Sequence, residues 1–263
     1  MFGLFRYRPP KVWQWENESG GKFASINRPV SGATHDKVLP QGEHSLQLYS
    51  LATPNGVKVT ILLEELLELG ISAAEYDAYT INIEAGDQFG SGFVAINPNS
   101  KIPALLDVGE TPPQRVFESG AILLYLAEKF DAFYPKERAA RAACQSWLMW
   151  QMGGLGPMAG QAHHFLQFNP GKAPYAETRY ASEVQRLYGV LDKQLEGQDF
   201  ICGDYSIADM ACWPWVARYE WQRVDLTQFP NVLRWYKALR ARDAVIKGYQ
   251  VPKDVGEVPR GEP

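Results

Sequence analysis

The stretch Leu46-Gln47-Leu48-Tyr49-Ser50-Leu51 alternates apolar and polar side chains and is followed by Thr53-Pro54-Asn55-Gly56. Such alternation predicts a β-strand, and the Thr-Pro-Asn turn suits the start of a helix. From Val57 to Leu69 the apolar residues recur at helical spacing, and Gly70 is a residue typical of a helix end. The stretch therefore predicts a strand that leads through a tight turn into a helix.

The same α/β pattern continues to about residue 131. Tyr76 to Ile81 predicts a second strand, and the segment after it is predicted to be irregular. Ala104 to Asp107 and Arg115 to Phe117 predict a hairpin. Ser119 is then expected to cap an apolar helix over 120–130. The predicted order is strand, helix, strand, irregular segment, hairpin, helix.

The rest of the chain divides into four regions. Residues 1–43 predict an irregular extension whose aromatic residues pack on the protein, with a mobile tail as the alternative. Residues 131–137 predict a linker, 138–250 an all-helical domain and 251–263 a polar tail. The helical patterns cover Arg138–Met152, Tyr175–Leu195, Ile207–Tyr219 and Val232–Arg240. The predicted fold class is an α/β domain (44–131) followed by an all-α domain.

Composition excludes several classes of function. The 263 residues carry a net charge of −4 without a long basic run, so we expect no nucleic-acid partner. No stretch reaches the ~20 apolar residues that span a bilayer, so we expect no membrane partner and a cytoplasmic location. The three cysteines form no C-x-x-C pair, and therefore neither a metal site nor an internal dithiol is expected.

Two features suit an amino-acid ligand and a thiol. Glu118-Ser119 stands at a strand-to-helix junction, where helix amides favour a carboxylate and Glu118 could pair with an ammonium group. The alternative is an ordinary serine cap. At the first helix start, Thr53 and Asn55 could donate to a thiolate, which helix N-termini stabilise; the alternative there is an ordinary helix cap.

Two further motifs concern the backbone. If the Ile102-Pro103 peptide is cis, it would turn the Ile102 backbone outward to pair with an extended peptide, although most X-Pro bonds are trans. Ser206-Ile207-Ala208-Asp209 resembles a capping box, in which Ser206 and Asp209 bond each other's backbone amides. We interpret that second motif as structural.

Together these features resemble the glutathione transferase family. Four stretches are similar to its nu class, which is bacterial and close to the fungal nitrogen-regulation branch: 27–32 (NRPVSG), 48–56 (LYSLATPNG), 97–104 (NPNSKIPA) and 117–120 (FESG). The resemblance implies a thioredoxin-like domain followed by a helical bundle, and a homodimer. It also implies reduction of small disulfides with one or two glutathione molecules per site.

The resemblance also implies roles for residues at matching positions. Glu118 and Ser119 would hold the γ-glutamyl head, and Ile102 would pair with the cysteinyl part of glutathione. Thr53, Pro54 and Asn55 would lie at the first sulfur. Lys101 and Gln88 would approach the glycyl carboxylate. Asn27, from the N-terminal extension, would fold over the site. His164 and Arg179 are the candidates for contacts to a second glutathione. His163 and His164 equally suit helix packing.

Three alternatives to disulfide reduction stay open at this point. The first is conjugation of glutathione to an electrophilic carbon, and the second is a non-catalytic, glutathione-binding regulatory protein. The third is catalysis by a cysteine of the chain itself. Cys144, Cys202 and Cys212 all lie in the helical half and not at the first helix start, so we expect them to be inert.

Overall fold

The computed structural model describes residues 8–15, 23, 26 and 31–261. Its first half contains the predicted strands and helices and one more short helix. The elements are β1 (Leu46–Ser50), α1 (Pro54–Glu68), β2 (Tyr76–Thr80), α2 (Ser91–Ile96), β3 (Ala104–Asp107), β4 (Gln114–Phe117) and α3 (Ser119–Lys129). Helix α2 lies where an irregular segment was predicted. It has only six residues, and burial of Phe93 and Ile96 holds it against the sheet.

The four strands form one sheet in the order β2-β1-β3-β4. β1 is parallel to β2 and antiparallel to β3, and β3 and β4 form the predicted hairpin. Tyr49 pairs with Ala104, and Ala104 pairs with Phe117. The C-terminal ends of β1 and β4 and the N-terminal end of β3 therefore meet at one end of the sheet, called the Tyr49 end below.

The second half is helical. Its elements are α4 (Arg138–Trp150), a π-helical turn (Gln151–Leu155), α5 (Gly156–Ala162), a second π-helical turn (His163–Phe168), α6 (Pro174–Gln194), α7 (Ile207–Val216), α8 (Pro230–Arg240) and α9 (Asp243–Tyr249). Four of these helices were predicted, whereas α5 and α9 were not. Helix α5 is rich in glycine, which weakens its helical pattern in the sequence. Glycine also allows Gln151 to pack closely, since a Cβ on Gly156 would lie 2.6 Å from Gln151 Nε2.

The predicted capping box at the start of α7 is confirmed. Ser206 Oγ accepts the Ala208 amide at 3.3 Å, and Asp209 Oδ2 accepts the Ser206 amide at 3.0 Å. Asp209 does more than the sequence indicates, because its Oδ1 also accepts the Ile201 amide and Trp235 Nε1, each at 2.9 Å. Burial raises the pKa of this carboxyl to about 6.

Helix α1 joins the two halves, because it packs on α3, α7 and α9 and shares one apolar cluster with the sheet. Gly248 of α9 lies so close that a Cβ there would be 2.7 Å from the Ile61 nitrogen. Thr60 Oγ1 donates to the Gly248 carbonyl at 2.5 Å. Glu65 is 2% exposed and accepts two hydrogen bonds from Arg242, at 2.6 and 2.7 Å. The apolar core is therefore continuous between the halves.

Both terminal regions contact the folded body where they are described. The Thr34 amide bonds Phe89 O at 2.9 Å, and Tyr49 Oη donates to Pro40 O at 2.7 Å. Trp13 is 73% exposed, so that aromatic residue does not pack as expected. The C-terminal residues fold back, since Tyr236 Oη donates to Pro259 O at 2.6 Å. No helix in 31–261 or the short described pieces before it is long and apolar enough to cross a membrane.

Candidate active site

Three segments of the chain converge on the Tyr49 end of the sheet. The start of α1 follows β1 by three residues, Ile102-Pro103 directly precedes β3, and Glu118-Ser119 directly follows β4. The register Tyr49–Ala104–Phe117 places these three segments side by side. The fold thus brings together the residues that the sequence marked as candidates for binding a thiol and an amino-acid head group.

Thr53 is the N-cap of α1. Its Oγ1 accepts the Gly56 amide at 3.4 Å, and the hydroxyl proton stays available for donation to a ligand. Pro54 has no N–H, and the Asn55 amide bonds no other residue that the structure describes. The positive end of the helix dipole is therefore open to an anion at this point. Thr53 is a helix cap, and the same geometry also suits a thiolate.

The side chain of Asn55 is oriented by a residue of the helical half. Trp215 Nε1 donates to Asn55 Oδ1 at 3.1 Å, so the Asn55 amide group keeps its N–H donors for another partner. The Trp215 ring stacks on His163 at 5.6 Å. Burial lowers the pKa of His163 to about 4, which leaves the imidazole neutral. Trp215 lies 160 residues from Asn55, and no local pattern in the sequence marks this pair.

Glu118 and Ser119 occupy positions different from those expected. Ser119 was predicted to cap α3, and this is wrong: Glu118, with φ of +70°, holds the cap position and Ser119 begins the helix. Ser119 Oγ turns inward and accepts a hydrogen bond from Lys58 Nζ at 3.2 Å instead of bonding the amides of α3. No side chain caps these first amides, and the Glu118 carboxylate is exposed beside them.

The Ile102-Pro103 peptide is cis, as proposed from the sequence. Asn97 organises the loop before it, because Asn97 Nδ2 donates to Lys101 O at 2.6 Å and Asn97 Oδ1 accepts the Asn99 amide at 2.8 Å. The backbone of Ile102 forms no hydrogen bond with any residue within the described ranges. Lys101 directly precedes Ile102 in the same loop, and partial loss of solvent around its ammonium group lowers its pKa.

Three other candidate residues make their described contacts outside these three segments. Gln88 is 2% exposed, and its Nε2 donates to Ile83 O at 3.2 Å, while its Oε1 is buried without a partner among the described residues. His164 lies in the second π-helical turn with its ring against Phe165. Arg179 lines an open groove on α6. Asn27 lies outside the described residues.

The described residues contain no group of three or more His, Cys, Asp or Glu side chains placed to hold a metal ion. The side chains at the Tyr49 end supply a hydroxyl, an amide, a carboxylate and an ammonium group, which belong to Thr53, Asn55, Glu118 and Lys101. This donor set can hold a zwitterionic amino-acid head and an anion at a helix N-terminus.

A four-stranded sheet with a cis-proline loop, joined through its first helix to an all-helical domain, is the architecture of the glutathione transferases. The chain belongs to the glutathione S-transferase family. The model of the family's N-terminal domain matches residues 44–128, and the model of its C-terminal domain matches residues 174–238.

Relatives cover almost the whole chain. The disulfide-bond oxidoreductase YghU of Escherichia coli (strain K12) is 53% identical over 258 residues, which cover 95% of this chain and 90% of YghU. The crystal structure of glutathione transferase YghU from Streptococcus pneumoniae, complexed with glutathione, superimposes with a TM-score of 0.89 and 46% identity, covering 97% of this chain and all of that one. A Pseudomonas putida glutathione transferase with one glutathione disulfide per subunit gives 0.74 and 41%, covering 81% and 94%.

Proposed function

We propose that the protein is a glutathione-dependent disulfide-bond reductase that uses the thiolate of bound glutathione to attack small disulfides. One observation carries the proposal: the open start of α1, with Thr53 and Asn55, meets the Glu118-Ser119 junction at the Tyr49 end of the sheet. The names of the E. coli relative and of the two glutathione-bound neighbours support it.

The γ-glutamyl head and the rest of glutathione would bind along this end of the sheet. The Glu118 carboxylate pairs with the α-ammonium group, while Ser119 and the uncapped amides of α3 hold the α-carboxylate. The Ile102 backbone pairs with the cysteinyl amide and carbonyl. Lys101 and Gln88 would approach the glycyl carboxylate, and Asn27 would fold over the site. This arrangement directs the cysteinyl sulfur towards the start of α1.

The chemistry follows from this placement of the sulfur. The helix N-terminus, the Thr53 hydroxyl and the Asn55 amide stabilise the thiolate and so lower the pKa of the glutathione thiol. The thiolate attacks one sulfur of the substrate, its S–S bond breaks, and the other sulfur leaves as a thiol after taking a proton. A second glutathione thiolate attacks the glutathione sulfur of the mixed disulfide, the S–S bond to the substrate breaks, and the second substrate sulfur takes a proton and leaves as a thiol. Two glutathiones are oxidised to one glutathione disulfide while the substrate gains two electrons and two protons.

The finer organisation belongs to the same proposal. His164 and Arg179 are the candidates for contacts to the second glutathione. The glutathione-binding domain spans 44–131 and the helical domain 138–250, with 1–43 covering the site and 251–263 as a tail. The protein acts as a homodimer in the cytoplasm, where glutathione is kept reduced.

The cysteines of the chain do not fit the role of attacking thiol. Cys144 and Cys212 are fully buried, and Cys202 is half-buried in the helical half. Burial raises the pKa of Cys212. A hydrogen bond from Cys202 lowers the pKa of Cys144, but the Cys144 thiolate would have no exposed surface from which to reach a substrate.

Turnover of two substrate types tests the proposed function. With glutathione, we expect the protein to reduce a hydroxyethyl disulfide at least about tenfold faster than it conjugates an aryl halide, because the site stabilises a thiolate but offers no group for a leaving halide. A triple Cys→Ala variant should keep this activity. Faster conjugation would favour a conjugating transferase. Tight glutathione binding without turnover would favour a regulatory protein. Loss of activity in the triple variant would favour catalysis by a cysteine of the chain.

Trp215→Phe tests whether the helical half positions Asn55. Phenylalanine keeps most of the packing on His163 but cannot donate to Asn55 Oδ1, so the amide is free to rotate away from the sulfur. We expect kcat for disulfide reduction to fall about tenfold, with KM for glutathione unchanged. Trp147→Phe in α4 is the matched control and should leave both constants unchanged. Equal kcat values for Trp215→Phe and the wild type would contradict this role.

A further inference from the structure

Lys58 is a buried cation that has no carboxylate partner among the described residues. It lies on α1 with 0% exposure, and its Nζ donates to Gln151 Oε1 at 2.5 Å, Ser119 Oγ at 3.2 Å and Met152 Sδ at 3.3 Å. All three acceptors are neutral. The Lys58 side chain thus links α1 to the first residue of α3 and to the π-helical turn after α4.

Burying an ammonium group among neutral dipoles is costly. The effective penalty is several kcal/mol unless an opposite charge compensates it. A methionine at this position would fill a similar volume without that cost. The site is also imperfectly satisfied, since Gln151 Nε2 is buried without a hydrogen-bond partner. The positive charge at this position therefore needs an explanation other than stability.

The position of Lys58 supplies such an explanation. Its ammonium group lies directly behind Ser119, at the start of α3, and accepts nothing itself, so its bond to Ser119 Oγ uses a lone pair of that oxygen. Within the part of the chain that the structure describes, the acceptor of the Ser119 hydroxyl proton is a weak one, Met152 Sδ at 3.6 Å. A carboxylate at the start of α3 would be a much stronger acceptor for this proton. It would also be attracted by the charge of Lys58 through Ser119.

We propose that Lys58 is a positioning residue of the γ-glutamyl subsite, which orients the Ser119 hydroxyl and supplies the buried positive charge that balances the α-carboxylate of glutathione. This inference rests on the proposed assignment of Glu118 and Ser119 to that subsite. Because Lys58 has no exposed surface, it acts through Ser119 and through its electric field, without touching the ligand.

A dependence of glutathione affinity on pH follows from this role. The groups that face Lys58 are Ser119 and the charge of Glu118 from the α3 junction, Gln151 and Met152 from the π-helical turn, and Cys212 from α7. Burial keeps the Cys212 thiol protonated by raising its pKa.

Burial lowers the pKa of Lys58 to about 7 in the free protein. A bound carboxylate favours the charged lysine and raises this pKa again, so binding takes up a proton. Affinity is therefore full below pH 7 and falls as pH rises through the lowered pKa. A rise of the pKa by one unit corresponds to about a tenfold loss of affinity at high pH.

Calorimetric titration of the full-length protein with S-methylglutathione, between about pH 6 and pH 8.5, tests the inference without a ligand thiol that titrates. We expect Kd for the wild type to rise about five- to tenfold across this range. At about pH 6, Lys58→Met should have a Kd about tenfold higher than that of the wild type, and this Kd should not rise further as pH increases. Lys247→Met is the matched control: Lys247 lies on α9, is exposed and pairs with Glu68 of α1, and the variant should behave like the wild type.

A second measurement does not depend on the folding of the Lys58→Met variant. In wild-type protein with 13C-labelled lysine, the NMR titration of Lys58 should show its pKa rising when S-methylglutathione is bound. A wild-type Kd independent of pH, or a Lys58 pKa that the ligand leaves unchanged, would overturn the role of Lys58 alone. Absence of S-methylglutathione binding at every pH would overturn the proposed subsite as well.

Discussion

Replacing Thr53 and Asn55 together by alanine is expected to slow glutathione-dependent disulfide reduction about 100-fold, the scale on which loss of preorganised donors to a reacting anion slows an enzyme. Both side-chain donors to the thiolate disappear, while the helix dipole and the Glu118-Ser119 junction are retained. The affinity for S-methylglutathione should therefore change little. Steady-state rates with a model disulfide and calorimetry on the same preparations measure the two effects separately.

Asn55→Asp sharpens this test. The carboxylate keeps an oxygen for Trp215 Nε1 but replaces the N–H donors by a negative charge beside the sulfur. We expect the pH-rate profile to shift to higher pH, because a like charge raises the pKa of the glutathione thiol.

In the double variant, Thr53→Ala also removes the α1 cap, which costs ~1 kcal/mol, so thermal unfolding must be recorded. A double variant with the wild-type rate would rule out the assignment.

Asp209→Ala is expected to lower the free energy of unfolding by about 3 kcal/mol or more, since an unpaired buried donor costs about 1–3 kcal/mol. The carboxylate accepts the amides of Ile201 and Ser206 and the indole N–H of Trp235, and alanine leaves all three unpaired. Burial is complete, so water cannot replace the lost oxygens. Urea unfolding followed by circular dichroism measures the change.

Asp199→Ala serves as the control for the Asp209 prediction. The Asp199 side chain is 87% exposed and meets Arg234 at 3.4 Å, a surface pair of the kind that contributes about 1 kcal/mol or less. We expect its free energy of unfolding to match that of the wild type within about 0.5 kcal/mol. If Asp209→Ala unfolds at the same urea concentration as this control, Asp209 does not organise the α7 junction as its hydrogen bonds indicate.

Local patterns predicted most of the fold. The strand alternation of 46–51, the Gly70 stop and the Ser206/Asp209 box depend on neighbours in sequence, and the structure confirms each. Helix α5 was missed because Gly156 and Gly160 lower its intrinsic helix propensity. Contacts with Gln151 and Trp215 favour the helix in the folded chain, and such contacts are absent from any local window.

The candidate site was predicted in part for the same reason. Thr53, Ile102 and Glu118 stand at strand ends, so their convergence follows once the sheet order is known. Ser119 was misplaced by one position because its hydroxyl bonds Lys58, 61 residues away, in preference to the amides of its own helix. Neither Trp215 nor Lys58 was predicted as a site residue. Trp215 meets Asn55, and Lys58 meets Gln151 and Met152, only when α1 docks on the helical half.

The docking of α1 bears on how such proteins can be recombined. The chain changes character at residues 131–137, but the packing does not divide there, because Thr60 and Glu65 of α1 bond Gly248 and Arg242 of the last helix. A chimera joined at that segment would pair one protein's α1 with another protein's α7 and α9. Exchange of the helical domain between relatives should therefore succeed only when the residues facing α1 are transplanted with it, so the two halves are expected to evolve as one unit.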